Sequence, residues 1–103
     1  MFDPAMLRRL QKDLQDRMEK MKEELKTKYV EGSAGGGVVT VVANGNQEIS
    51  EVRIKAAAID PEDPEMLQDL IMAATNQALE KSRALNEESV AEITGGLRLP
   101  GFF

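Results

Sequence analysis

The sequence predicts an α+β domain with the element order α-β-β-β-α. Apolar residues recur at helical spacing near both ends, β-branched runs fill the middle, and glycine-rich turn signals separate those runs. We expect one domain over residues 1–103, with a three-stranded antiparallel sheet between two long helices. The expected bounds are a helix at 4–28, strands at 29–33, 37–43 and 48–55, a helix at 64–91, and a flexible tail at 94–103.

The first helix begins at a strong start signal, because Asp3 is a good N-cap residue and Pro4 suits the first helical position. Its apolar positions recur about every 3.6 residues, the period of a straight amphipathic helix. They are Leu7, Leu10, Leu14, Met18, Met21 and Leu25. Such a helix measures about 37 Å at 1.5 Å per residue, so we expect it to project or to lie along a partner.

The middle of the chain is predicted to be a hairpin turning at Asn44-Gly45, a dipeptide that accepts positive φ at both positions. Alternation gives its first strand two apolar faces, so both faces need cover. One face holds Val38, Thr40 and Val42, and the other holds Val39, Val41 and Ala43. Ile49 falls out of phase with the next strand, which indicates a β-bulge nearby.

The second helix starts at Asp63-Pro64 and carries a narrow stripe of small residues that includes Ala74 and Ala78. Small residues allow another helix or a sheet to approach closely, so this stripe is predicted to be a packing surface. The last residues end in Pro-Gly-Phe-Phe, and we expect a disordered tail, with docking on a partner as the alternative because of its apolar residues.

Composition narrows the classes of function. The chain has no histidine and no cysteine, which excludes an imidazole base, a thiol nucleophile and Cys/His zinc sites. No nucleophile elbow, dinucleotide fingerprint or phosphate loop is present. We therefore expect no enzyme, no cofactor, no metal and no small-molecule substrate. No apolar run is long enough to span a bilayer, so we expect a soluble cytoplasmic protein without a membrane partner.

The net charge is −5, but positive charge is concentrated in the first helix. Residues 1–28 hold 8 of the 13 basic side chains and 6 of the 18 acidic ones. One flank of that helix carries Arg8, Lys12, Lys22 and Lys26, and the rest of the polar surface carries Arg9, Arg17, Lys20 and Lys28. These charges fit either a solvated face with i,i+4 ion pairs or a surface that contacts phosphates.

Several pieces of the sequence, in this order, resemble the YbaB/EbfC family of bacterial nucleoid-associated proteins. They are Gly35-Gly36-Gly37-Val38-Val39, Asn44-Gly45, Ile59-Asp60-Pro61, residues 67–78, and the ending Thr94-Gly95-Gly96-Leu97 with Pro100-Gly101. The resemblance implies an intertwined homodimer that binds double-stranded DNA at the nucleoid and alters its conformation. Nucleoid organisation, gene regulation and DNA protection are the roles that follow from it.

The resemblance implies that the eight basic residues named above contact DNA. The expected dimer interface is Val38, Val42, Leu70, Ala74 and Ala78, from the two-faced strand and the small-residue stripe. The alternative is a chaperone-like or protein-interaction scaffold, because helix, β-hairpins and helix is also the order of prefoldin-type subunits with coiled-coil arms. A period of 3.6 rather than 3.5 disfavours such arms.

Overall fold

The structure is a computed structural model and describes residues 3–95. The elements are α1 (Pro4–Lys26), β1 (Tyr29–Ala34), β2 (Val39–Asn44), β3 (Ile49–Ile54), a 3₁₀ turn (Ala56–Ala58) and α2 (Pro64–Thr94). The three strands form one antiparallel sheet in the order β1-β2-β3. The α-β-β-β-α order expected from the sequence is therefore the order of the fold. Most of the predicted C-terminal tail, from residue 96 onward, lies outside the described residues.

Both helices begin at the predicted caps. The Asp3 carboxylate accepts a hydrogen bond from the Ala5 amide at 3.2 Å, and the Asp63 carboxylate accepts one from the Met66 amide at 3.2 Å. Each bond satisfies a backbone donor that has no partner within the first helical turn. A proline follows each cap, so local sequence alone fixes where the helices start.

The core lies between α2 and the part of the sheet formed by β1 and β2. Val39, Val41 and Ala43 share one face of β2 and are fully buried, together with Ala74 and Ala78 of α2. Gly32 of β1 lies where the helix comes closest, since a Cβ atom there would collide with the backbone of α2. The predicted assignment of β2 side chains to faces is confirmed.

The layering differs from the expected one, because α1 does not cover the second face of the sheet. It packs on α2 instead and reaches the sheet only at its C-terminal end. The second face is polar around Val42, whose partners in register are Glu31 and Glu51. Arg53 forms ion pairs with both carboxylates, with Glu31 of β1 at 2.6 Å and with Glu51 of its own strand at 3.3 Å. Val42 is thereby only 7% exposed without a helix above it.

The two connections between strands contain the residues with positive φ angles. Three consecutive glycines, Gly35 to Gly37, connect β1 to β2 with positive φ of 66°, 71° and 91°. At the β2–β3 turn (residues 44–47) the positive φ falls on Gln47, at 62°, so the expected tight turn centred on Asn44-Gly45 is wrong. The Asn44 side chain accepts hydrogen bonds from the amides of Asn46 and Glu48, which favours a longer turn.

The predicted bulge is present. The register between β2 and β3 shifts after Val42, so that Glu51 faces Val42 and Ile49 faces Ala43. The shift brings Ile49 onto the same face as Val52 and Ile54.

Candidate nucleic-acid interface

The outer half of α1 extends past α2. Along its inner half, Met21 and Leu25 lie beside Ser89 and Ile93 of α2. Nearer its start, Met6 and Leu7 are 51% and 43% exposed. The molecule is correspondingly elongated, with extents of 69 × 23 × 16 Å. A projecting helix end is accessible to a large partner from several sides.

The strongest concentration of positive charge is at this projecting end. Arg8, Arg9 and Lys12, here called the cationic end of α1, are all exposed, and residues 4–12 contain no acidic side chain. In the described part of the chain none of the three forms an ion pair. Free guanidinium and ammonium groups on one exposed helical turn suit contact with phosphates.

The other predicted basic residues lie among carboxylates. Lys22 and Lys26 border a groove with Asp16, Glu19, Glu23 and Glu48. On the opposite flank, Arg17, Lys20 and Lys28 border a groove with Glu24 and Glu92, and Arg17 is paired with Asp13 at 3.2 Å. The structure thus separates three residues at the projecting end, whose neighbouring carboxylates along the helix are Asp3, Asp13 and Asp16, from five that share their grooves with carboxylates. Among the described residues, Arg17 is the one of the eight that forms an ion pair. The sequence does not show that Glu48 lies beside Lys22 and Lys26, because Glu48 comes from a different part of the chain.

The five residues expected at a dimer interface are used within a single chain. Ala74 and Ala78 have no exposed surface, because α2 presses them against β1 and β2. Val38 and Leu70 are half-buried against the same core, and Val42 lies under the ion pairs of the polar face. Of the five, Val38 and Leu70 keep part of their surface exposed in the single chain.

Further exposed apolar surface lies on β3. Its side chains Ile49, Val52 and Ile54, here called the apolar row of β3, point to the core side of the sheet yet remain 44%, 48% and 37% exposed. They are uncovered because α2 is placed over β1 and β2. Gly32, which draws α2 towards β1, is the residue that leaves Val52 and Ile54 uncovered.

The two edges of the sheet are unequal. At the β1 edge, Gln77 accepts a hydrogen bond from the Ser33 amide at 2.7 Å, and Lys81 donates one to the Glu31 carbonyl at 2.8 Å. These bonds occupy backbone groups that could otherwise pair with another strand. Within residues 3–95, no side chain covers the β3 edge in this way.

Residues 3–95 offer neither a cluster of metal ligands nor a helix that could cross a membrane. No group of three or more acidic side chains converges as a set of metal ligands there. Neither helix combines the length and the apolar character that crossing a membrane requires.

Comparison with known proteins gives a consistent result. The model of the YbaB/EbfC DNA-binding family matches residues 3–97. A nucleoid-associated protein of Bacillus cereus is 56% identical over 84 residues, covering 82% of this chain and 77% of its own length. One from Syntrophobacter fumaroxidans is 53% identical over 90 residues, covering 87% and 82%. The crystal structure of the uncharacterized protein HP0035 from Helicobacter pylori has the same fold, with a TM-score of 0.77 and 24% identity over 94% of this chain and 98% of that one.

Proposed function

Because the chain belongs to the YbaB/EbfC DNA-binding family, we propose that it binds double-stranded DNA as a homodimer and alters the conformation of the bound duplex. The names of its relatives support a place at the nucleoid, in the bacterial cytoplasm. Nucleoid organisation is the role we assign, with gene regulation and DNA protection as its consequences. The observation that carries the proposal is the cationic end of α1, which projects without a carboxylate within residues 4–12.

The apolar row of β3 and the free β3 edge support a dimer. Gln77 and Lys81 of α2 reach β1, so the opposite flank of that helix, with Ile71 and Thr75, faces β3. A second copy that docks on this side would bury apolar side chains from both elements. A two-fold axis would also let the two β3 edges pair with each other, which satisfies their backbone groups.

The dimer would present two cationic ends to one duplex. Phosphate contacts by arginine and lysine are independent of sequence, so we expect binding to duplexes of arbitrary sequence. The remaining basic residues are secondary contacts, which strengthen the binding of a duplex that the cationic ends already hold. They are Lys22, Lys26, Arg17, Lys20 and Lys28. Because two ends on one frame have a fixed spacing, the duplex must bend or twist to meet both, and this is the proposed change in its conformation.

The test compares two variants that lose the same charge. The end variant carries Arg8→Gln, Arg9→Gln and Lys12→Gln, and the flank variant carries Lys22→Gln, Lys26→Gln and Lys28→Gln. We expect fluorescence anisotropy with a labelled duplex to show a loss of about a hundredfold for the end variant, and a loss of about threefold for the flank variant. Equal losses, or no loss in the end variant, would overturn the choice of surface.

A protein-binding scaffold is the second candidate function, and the exposure of Met6 and Leu7 favours it. Apolar side chains at the end of a projecting helix are a means of holding unfolded clients. Suppression of the aggregation of a model client, together with no shift of any duplex in dilute buffer, would favour this function over DNA binding.

A further inference from the structure

We propose that the β2–β3 turn is a bracket that fixes the direction in which α1 projects, and that Asn46 is a positioning residue for DNA binding. The inference rests on the proposed function, because it concerns how the cationic end of α1 is aimed. It adds to that function a site far from the charged residues themselves.

The turn closes the C-terminal end of α1. The Gly45 amide donates to the carbonyls of Leu25 and Lys28, both at 2.9 Å. The Asn46 side-chain amide donates to the Lys22 carbonyl at 2.9 Å. The last carbonyls of a helix lack partners in the next turn and carry partial negative charge, so the Gly45 amide caps α1 at Leu25. Lys22 lies one turn earlier, so the Asn46 bond is a further contact that ties the turn to the helix.

Close packing accompanies the cap. Leu25 is 1% exposed, and a Cβ atom on Gly45 would lie 2.7 Å from its Cδ2 atom. Glycine is therefore needed at position 45 for the approach of α1, although its φ is not positive.

The same turn is held from α2. The Ser82 hydroxyl donates to the Asn44 carbonyl at 2.6 Å and accepts from the Gln47 amide at 2.9 Å, with no exposed surface. Asn86, one turn further along α2, donates to the Gly45 carbonyl at 3.3 Å. A serine inside a helix commonly bonds to its own helix, whereas this one has both bonds outside it. The turn is thus joined to both helices by hydrogen bonds.

The packing between the helices does not fix their angle by itself. Met18 and Met21 of α1 lie beside Asn86 and Val90 of α2. Methionine is unbranched and adapts to small shifts, so such a contact tolerates a change in the crossing angle. The hydrogen bonds between the turn and α1 depend strongly on angle, so they are the contacts that hold the helix in one direction.

A small change in the angle of α1 at the turn produces a larger displacement of side chains far along the helix. At 1.5 Å per residue, Lys12 and Arg8 lie about 15 and 21 Å from Lys22. A rotation of about 10° at the turn would move these side chains by about 3 Å, which is enough to break a phosphate hydrogen bond of about 2.8 Å. Loss of the bracket should therefore weaken DNA binding without removing any group that touches DNA.

The experiment measures direction and binding separately. The chain has no cysteine, so Gln11→Cys on α1 and Gln68→Cys on α2 give two clean spin-label sites, both exposed. Dilution with unlabelled chain restricts the measured distances to one subunit. Duplex affinity is measured on the unlabelled protein, in its full length. The variant Asn46→Ala removes the donor to α1, and Asn76→Ala, an exposed asparagine of α2, is the matched control.

We expect Asn46→Ala to broaden the distance distribution and to weaken duplex binding about two- to tenfold, while Asn76→Ala changes neither. An unchanged distribution would overturn the bracket. A broadened distribution with unchanged affinity would overturn the positioning role. If Asn46→Ala fails to fold, Asn86→Ala removes the longer 3.3 Å bond and should give a smaller shift of the same kind. If the unmodified protein binds no duplex, the proposed function fails, whereas the distance measurement still decides whether the turn acts as a bracket.

Discussion

Gly32 is the residue that decides where α2 lies on the sheet. It faces Val41 across the strand pair, and any side chain there would meet the Ala74 carbonyl and the Ala78 amide. Because both alanines are small, the backbone of the helix comes down directly onto β1. This contact places α2 over β1 and β2 and leaves β3 without a helix above it.

A methyl group at this position should be poorly tolerated. We expect Gly32→Ala to lower the free energy of unfolding by about 3 kcal/mol, because helix and strand must separate to admit it. Gly36→Ala is the control, since its Cβ would meet nothing within 4 Å and only its positive φ opposes alanine, at about 1 kcal/mol. Urea unfolding of both variants at one protein concentration measures the two losses. A loss for Gly32→Ala no larger than for Gly36→Ala would contradict this account of the core.

Residues with local roles could be predicted from sequence, and residues with distant partners could not. Asp3 and Asp63 act on amides two and three residues away, so their caps are visible in the sequence. The role of Gly32 depends on Ala74 and Ala78, far along the chain. For the same reason the sequence does not show that Glu48 lies beside Lys22 and Lys26.

Among the elements, β3 differs most from its expected environment. Every residue of this strand is exposed, although the sequence places an apolar row on one face. Among residues 3–95, no side chain protects the edge of this strand, in contrast to the β1 edge that Gln77 and Lys81 cover. An apolar face next to a free edge is a surface on which a second chain can add.

A charge placed in the apolar row of β3 should therefore dissociate the proposed dimer. We expect Val52→Lys to raise the dissociation constant of the dimer about a hundredfold, because the ammonium group would be buried without a partner. Tyr29→Lys introduces the same charge at a 59% exposed position on the other face of the sheet and should leave the mass unchanged. Sedimentation equilibrium measures both. A dimer that persists in Val52→Lys, or one lost equally in Tyr29→Lys, would exclude this interface.

For the strands, the alternation of apolar residues along the sequence predicted more of the structure than the turn residues did. Alternation assigned the faces of β2 correctly, and the phase break at Ile49 located the bulge. The prediction of a tight turn at Asn44-Gly45 was wrong for two reasons. The Asn44 side chain forms hydrogen bonds within the loop, and Gly45 packs closely against Leu25. The expectation that the sheet lies between two helices failed because an ion pair between β1 and β3 and another within β3 shelter Val42 of β2. Only the strand register brings these residues together.

For the whole molecule, charge distribution matters more than net charge. Each chain carries −5, which repels DNA at a distance, so capture depends on the cationic ends of α1 at short range. If six side chains in a dimer contact phosphates, the logarithm of the association constant should fall with a slope of about −5 against the logarithm of salt concentration. Binding isotherms at four salt concentrations give the slope. A slope near zero would mean that phosphate contacts do not supply the affinity.

The central claim is that two cationic ends, one from each chain, hold a single duplex. Mixed dimers carrying one unmodified chain and one end variant, purified through two different affinity tags, test it most directly. We expect such dimers to bind a labelled duplex about tenfold more weakly than the unmodified dimer, part of the way to the loss of the end variant, because one of the two linked contacts is missing. Mixed dimers that bind as tightly as the unmodified dimer would contradict the claim.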